Sequence, residues 1–424
     1  MLDPPLLTLI ITRALEQRQH AAAISPDEVF SVSIFAVFTR ARKIIFLGLG
    51  LLVAALLSAC QPTSMGGGGP TIDTSKPVPV ALLVPAGSAQ PGDAVLAKSL
   101  ENAARLAIAD LQGVVIDLRV YDTAGNADTA ASVATQAVND GARIILGPVY
   151  ASSANAVGLA VRGRDINVLS FSNNATIAGG NVFVLGPTFE NTANRLARYA
   201  AQQGKGNMVI VHSNDIAGDL GRDAIQGIIG DSRATLAGTV GYELSQQGVI
   251  NAIPQIRDTA ASTGANAIFL TSTTAGALPL LTQLLPEAGV SPANVQYIGL
   301  TRWDIPAQTL ALPGVQGGWF ALPDPTMTQQ FQSRYATAYE AAPHPIGGLA
   351  YDGIAAIGAL VGAGNSDALT GAALTQSAGF RGVGGIFRLL PNGTNQRGLA
   401  VATIQNKQVV VIDPAPTSFS GAGS

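Results

Sequence analysis

The sequence predicts an α/β protein built from two doubly wound parallel-sheet lobes. Two observations carry this reading. From Val78 onward, short β-type runs alternate with segments of helical period across short loops, the signature of βαβ units on a parallel sheet. With the N-terminal segment set aside, roughly 360 residues remain, a length that suits two lobes.

The elements follow in order. Val78 to Val84 is an apolar run and reads as a buried strand, closed by Pro85-Ala86-Gly87-Ser88. Ala94 to Leu111 carries Leu96, Leu100, Ala103, Ala104, Ala107, Ile108 and Leu111 at helical spacing. Val114 to Val120 is the second strand and runs into Tyr121-Asp122; Ala127 to Asn139 is a helix with Gly141 as its stop signal. Arg143 to Leu146 and Val168 to Ser172 are strands flanking a short helix from Ala154 to Arg162. Beyond Thr188 the pattern repeats, with helices at 190–203, 218–229, 250–262 and 277–285. Its strands are Met208–His212, 235–240, Ala267–Thr271 and Tyr297–Leu300. Met327 to Val361 is mostly helical, and Phe387–Leu389, Leu399–Ile404 and Gln408–Ile412 are strands.

Composition excludes several function classes. The net charge is −3 and only 12% of residues are charged, so there is no electrostatic footprint for nucleic acid. Past the N-terminal segment the chain has two histidines, His212 and His344, and Cys60 is the only cysteine. No metal-ligand spacing, P-loop or nucleophile elbow is present, so no enzyme activity, cofactor or metal is expected. Gly382-Val383-Gly384-Gly385 lacks the strand–turn–helix context of a dinucleotide loop.

Cys60 follows Leu57-Ser58-Ala59, an apolar run from Ile44, and the basic residues Arg40, Arg42 and Lys43. Basic, apolar and small-residue regions in this order describe a secretory signal. The run is about 14 residues, short of the roughly 20 a membrane helix needs. The Leu-Ser-Ala-Cys context resembles the lipobox of bacterial lipoproteins, which implies lipidation at Cys60. Residues 1–59 then read as a misassigned start plus signal peptide, with the true start near Val37. Residues 60–76 read as the lipidated cysteine and a Gly/Pro/Ser-rich flexible tether. Gln61, where inner-membrane lipoproteins tend to carry aspartate, implies the periplasmic face of the outer membrane.

The order of segments resembles the type I periplasmic binding fold of the leucine-binding family over about residues 77–413. The segments that carry it are Tyr121-Asp122-Thr123-Ala124-Gly125-Asn126, Ile145 through Ser153, Leu169 through Ala175, Phe331-Gln332-Ser333-Arg334-Tyr335 and Ala350-Tyr351-Asp352. The resemblance implies three crossovers, near Gly186-Pro187, Leu322-Asp324 and Gln376–Phe380. Lobe 1 is then about 77–187 plus 324–376, lobe 2 about 188–323 plus 377–413, and 414–424 a flexible tail. Arg302-Trp303-Asp304 and Phe320-Ala321-Leu322-Pro323-Asp324-Pro325 are similar to sequences of penicillin-binding protein activators, lipoproteins of this fold that act on peptidoglycan synthases. That family carries a long helical-repeat domain ahead of the lobes, where this chain has a short linker.

Two partners therefore compete: a peptidoglycan synthase (a penicillin-binding protein), or the permease of an ABC transporter that would receive a branched-chain amino acid or similar small solute from the cleft. The candidate cleft residues are Ser152, Ser153, Ser172, Asn173, Thr273, Thr301 and Trp303. Hydroxyls near a helix N-terminus suit a carboxylate, although Ser152 or Ser153 could instead cap that helix. The second lobe has Leu300-Thr301-Arg302 where the family places a glutamate for the ammonium, a role for which Asp304 or Asp122 could substitute. Trp303 either stacks on a ligand or packs beneath its loop.

Overall fold

The computed structural model describes residues 68–419. The signal, Cys60 and the start of the tether lie outside them. The first strands and helices are β1 (Val78–Val84), α1 (Asp93–Asp110), β2 (Ile116–Asp122), α2 (Ala127–Asn139), β3 (Ile144–Leu146), α3 (Ala151–Val161), β4 (Val168–Ser170) and β5 (Val182–Val184). The strands form one parallel sheet in the order β2-β1-β3-β4-β5. Both faces are covered. Val80, Leu82 and Val84 pack with Leu100, Ala103 and Ala107 of α1, whereas Ala81 and Leu83 face Ala130, Ala134 and Ala137 of α2. This period of two explains why β1 reads as an uninterrupted apolar run: alternate residues enter different cores.

The chain continues through α4 (Phe189–Gln202), β6 (Asn207–Ser213), α5 (Ile216–Ile229), β7 (Thr235–Tyr242), α6 (Gln246–Ser262), β8 (Ala267–Leu270), α7 (Leu278–Glu287), β9 (Gln296–Gly299) and β10 (Trp319–Leu322). These strands pair in parallel in the order β7-β6-β8-β9-β10. The second-first-third-fourth-fifth order of the first sheet thus recurs. Val209 and Val211 face one core and Met208 and Ile210 the other. The helix starts are chemically specified. Asn126 caps α2, Asp215 caps α5 and Ser245 caps α6, each accepting from backbone N–H groups of the first turn. Thr188 and Asn191 form a capping box on α4.

Next come α8 (Pro325–Tyr339), α9 (Gly348–Gly362) and α10 (Gly371–Leu374), which return to the first lobe. Phe331, Tyr335, Leu349, Ile354 and Leu374 share its core with β1. They are followed by β11 (Phe380–Gly382), β12 (Gly385–Leu389) and β13 (Asn395–Arg397), then β14 (Ala400–Gln405) and β15 (Gln408–Asp413). β14 and β15 extend the second sheet antiparallel to β10.

Three sequence expectations change here. The third crossover lies at 397–400, not at Gln376–Phe380. β11–β13 form a separate antiparallel sheet, and Phe380, Phe387 and Leu389 bury in the first lobe's core. The described end of the tether is docked: Ile72 is buried, its N–H donates to Ser366 O (2.8 Å), and Gly68 O accepts from Asn167 Nδ2 (2.8 Å). Ala415 is likewise buried, and the Arg388 guanidinium sits 4.6 Å over the Phe419 ring, so 414–419 packs against the body.

Buried polar groups clasp the crossovers. Asn395 Nδ2 donates to Val184 O (2.7 Å) and Gly186 O (2.9 Å), while its own carbonyl accepts from Asn191 Nδ2 of α4 (2.9 Å). Arg397 donates to Leu185 O (3.1 Å) and pairs with Asp352 of α9 (3.0 Å). Asp352 Oδ1 accepts from Val383 N (2.8 Å). Burial pushes the Asp352 carboxyl up from the usual range, against the pull of Arg397. Asp324, the cap of α8, donates its N–H to Gly384 O (2.8 Å). The Gly382–Gly385 stretch is therefore a tight hairpin at a crossover.

Candidate interlobe cleft

The carboxyl end of β5 leads into the first crossover and that of β10 into the second. The carboxyl edges of both sheets therefore border the crossovers. Ligands of open α/β sheets sit beyond these edges, at the point where strand order reverses. The reversal falls between β1 and β3 in one lobe and between β6 and β8 in the other.

In the first lobe, the Thr123 hydroxyl locks the loop after β2 by donating to Val84 O (3.0 Å). After β3 the chain turns through Gly147 (φ 94°) and a cis bond to Pro148. A Cβ at Gly147 would strike Leu83 O, so glycine is required on both counts. The turn delivers Tyr150, whose hydroxyl donates to Asp93 Oδ1 (2.5 Å). That bond to buried Asp93 pushes the Tyr150 phenol up to about 12.

Among the residues expected here, Ser152 and Asn173 are exposed. Ser153 is not available: it is fully buried and its Oγ has no hydrogen-bond partner. Neither serine caps α3, whose N-cap residue is Tyr150 and which has no side-chain cap. Ser172 is also buried, with its Oγ accepting from Asn174 N (3.1 Å). It shapes the turn, and its carbonyl accepts from Gly186 N at the first crossover (3.1 Å).

In the second lobe, Ser213 Oγ donates to Asp215 Oδ1 (2.8 Å), and the same oxygen accepts from Gly218 N (2.7 Å). The Gly218 N–H, with the Ser213 hydroxyl, holds the Asp215 carboxyl below its usual range. Tyr242, at the end of β7, is buried, which pushes its phenol up to about 12. Thr273 is exposed. Thr301 is half-buried and donates to Ser272 O (3.2 Å), joining the loops after β8 and β9.

Trp303 is the clearest correction. It is fully buried in the second lobe's core, over Gly299 of β9 and Gly318, where any Cβ would collide with the indole. The indole is sealed in that core rather than presented to the cleft. Its neighbours Arg302 and Asp304 pair with each other through two hydrogen bonds, one of them Nε to Oδ1 at 2.9 Å. Asp304 is thereby committed.

The sequence reading missed the apolar rim of this lobe. Ile216, Leu244 and Ile305 follow β6, β7 and β9, and are 82%, 62% and 50% exposed. Between the loops after β7 and β8 lies a cavity of about 310 Å³ lined by Leu244, Val249 and Leu280. Three apolar residues, each two to six positions past a strand end, were the available signal. No group of metal-ligating side chains occurs among the described residues.

The two sheets joined by three crossovers define a two-lobe binding protein of the type I periplasmic class. The family model described as periplasmic binding protein matches residues 77–408, and the chain belongs to that family. The fold is similar to a Rhodospirillum rubrum protein named as a candidate branched-chain amino acid ABC transporter (TM-score 0.67, 19% identity, covering 80% of this chain and 100% of that one). It is also similar to an ABC transporter substrate-binding protein from Sphaerobacter thermophilus (TM-score 0.61, 17% identity, 81% and 98%). A third is the branched-chain amino acid transporter substrate-binding protein of Streptococcus pneumoniae, in complex with isoleucine (TM-score 0.53, 14% identity, 80% and 100%). At these identities the likeness is one of fold. An uncharacterised Rickettsia prowazekii protein is 24% identical over 219 residues, 52% of this chain and 57% of that protein. The family is a periplasmic, solute-binding one, and among the described residues no helix is long and apolar enough to cross a membrane.

Proposed function

We propose that this protein is a non-catalytic lipoprotein, anchored through Cys60 at the periplasmic face of the outer membrane, that regulates cell-wall synthesis by docking a peptidoglycan synthase. The observation that carries this reading is the second lobe's apolar rim, Ile216, Leu244 and Ile305. Exposed apolar groups gathered at one edge of a sheet mark an association surface, and Leu244 also lines the adjoining cavity. Of the two carboxylates that could meet an ammonium in an amino-acid site, Asp304 is bound to Arg302, whereas Asp122 stands exposed at the end of β2. The resemblance of Arg302-Trp303-Asp304 to the activator sequences points the same way.

A second reading has its own support. Ser152, Asn173 and Thr273 are exposed at the strand ends, and relatives of this fold bind isoleucine or leucine. On that reading the protein delivers a small solute to an ABC permease, and those three residues face the ligand. Thermal melting with leucine, isoleucine, valine and muropeptides separates the two. A ligand at 100 times its Kd adds about 2.7 kcal/mol, and a saturable amino-acid shift of that size would replace the regulator by the solute carrier. Cys60→Ala should move the protein from membranes to the soluble fraction; continued membrane association would remove the anchor from the account.

A further inference from the structure

A separate cavity of about 440 Å³ lies at the third crossover, and none of its lining residues comes from the cleft loops. Four guanidiniums line it, those of Arg195, Arg198, Arg388 and Arg397, against the single carboxylate of Asp413. The arginines arrive in two pairs from two bodies. Arg195 and Arg198 lie on α4 of the second lobe, and Arg388 and Arg397 on the small sheet that packs on the first.

Their partners differ. Arg195 pairs with Asp413 (2.7 Å) and donates to Leu399 O (2.7 Å). Arg397 is spent on Asp352 and Leu185 O. Arg388 is held by neutral acceptors, Gln396 Oε1 (2.7 Å) and Ser377 O (3.1 Å), and its plane is fixed over Phe419. An arginine oriented by neutral groups and an aromatic face keeps its full charge and its fork geometry for an anion.

We infer that this cavity binds a small organic polyanion, with two or more carboxylate or phosphate groups spaced to reach Arg388 on one side and Arg198 on the other, where Arg198 Nε is oriented by the neutral Asn194 Oδ1 (2.7 Å). Such a ligand bridges α4 and the β12–β13 hairpin, so it links the lobes at their hinge and biases their relative setting. Carboxylate and phosphate share the bidentate chemistry, and the probes tell them apart.

The test is calorimetry on the purified protein with citrate and with inorganic pyrophosphate, against acetate at equal ionic strength. One saturable site per chain is expected for citrate or pyrophosphate, at least tenfold tighter than for acetate. Arg388→Gln and Arg198→Gln should each weaken it at least tenfold, while Arg388→Lys retains part of the affinity. Urea midpoints check that each variant is folded; should Arg388→Gln unfold, Arg198→Gln and Arg388→Lys still decide. Absence of saturable binding by both polyanions, equal affinity for acetate, or affinity unchanged in the variants would overturn the assignment.

Discussion

Removing Asp352 tests whether the crossovers are clasped as described. The side chain is 2% exposed, 3.0 Å from Arg397, and accepts from Val383 N. Asp352→Ala leaves the Arg397 guanidinium, with a side chain only 10% exposed, without its counter-charge. It also orphans the Val383 N–H. Breaking one partner of a buried pair costs about 3–5 kcal/mol, which lowers the folded-to-unfolded ratio by about 150- to 5,000-fold. Urea unfolding followed by far-UV circular dichroism reads this as a lower midpoint. The double variant Asp352→Ala/Arg397→Ala should cost less than the sum of the singles, with a coupling of about 0.5–3 kcal/mol. If each single variant cost under about 1 kcal/mol and the two effects added, the pair would be behaving as a solvated one, and the hinge description would be wrong.

Trp303→Ala should destabilise by about 3–5 kcal/mol, whereas Trp303→Phe should leave the proposed synthase binding intact in a pull-down, because the indole is sealed in the second lobe's core. Asp215→Ala should cost about 1 kcal/mol through loss of the α5 cap, read from urea midpoints. The Asp215 carboxyl titrates below its usual 3.8 in the folded protein. Its contribution is therefore present above that value and lost as pH falls through the lower folded one. The acid limb of the wild-type stability curve should be steeper than that of the variant in this window.

The alternation of strands and helices was legible because each βαβ unit carries its own local period. Val182–Val184 was not, since three apolar residues give no period. Trp319–Leu322 stood out as a motif before it could be recognised as a strand. The β11–β13 meander looked like second-lobe sequence because its side-chain pattern says nothing about which core receives Phe380 and Phe387. Trp303 had two readings in the sequence. What decides between them is Gly299 and Gly318, four positions before it and fifteen after, which the strands bring beneath the indole. Ser153 needed its depth in the helix, not its type. The arginine cavity draws on residues near 195, 390 and 415, a separation no local pattern reveals.

The proposed docking of a peptidoglycan synthase on the apolar rim of the second lobe is open to direct measurement. The direct measurement is binding of the purified protein to a detergent-solubilised synthase by biolayer interferometry, for wild type and for Ile216→Asp/Leu244→Asp. Saturable binding is expected for the wild type, weakened at least tenfold in the folded double variant. Absence of synthase binding by the wild type, or equal binding by the variant, would contradict it.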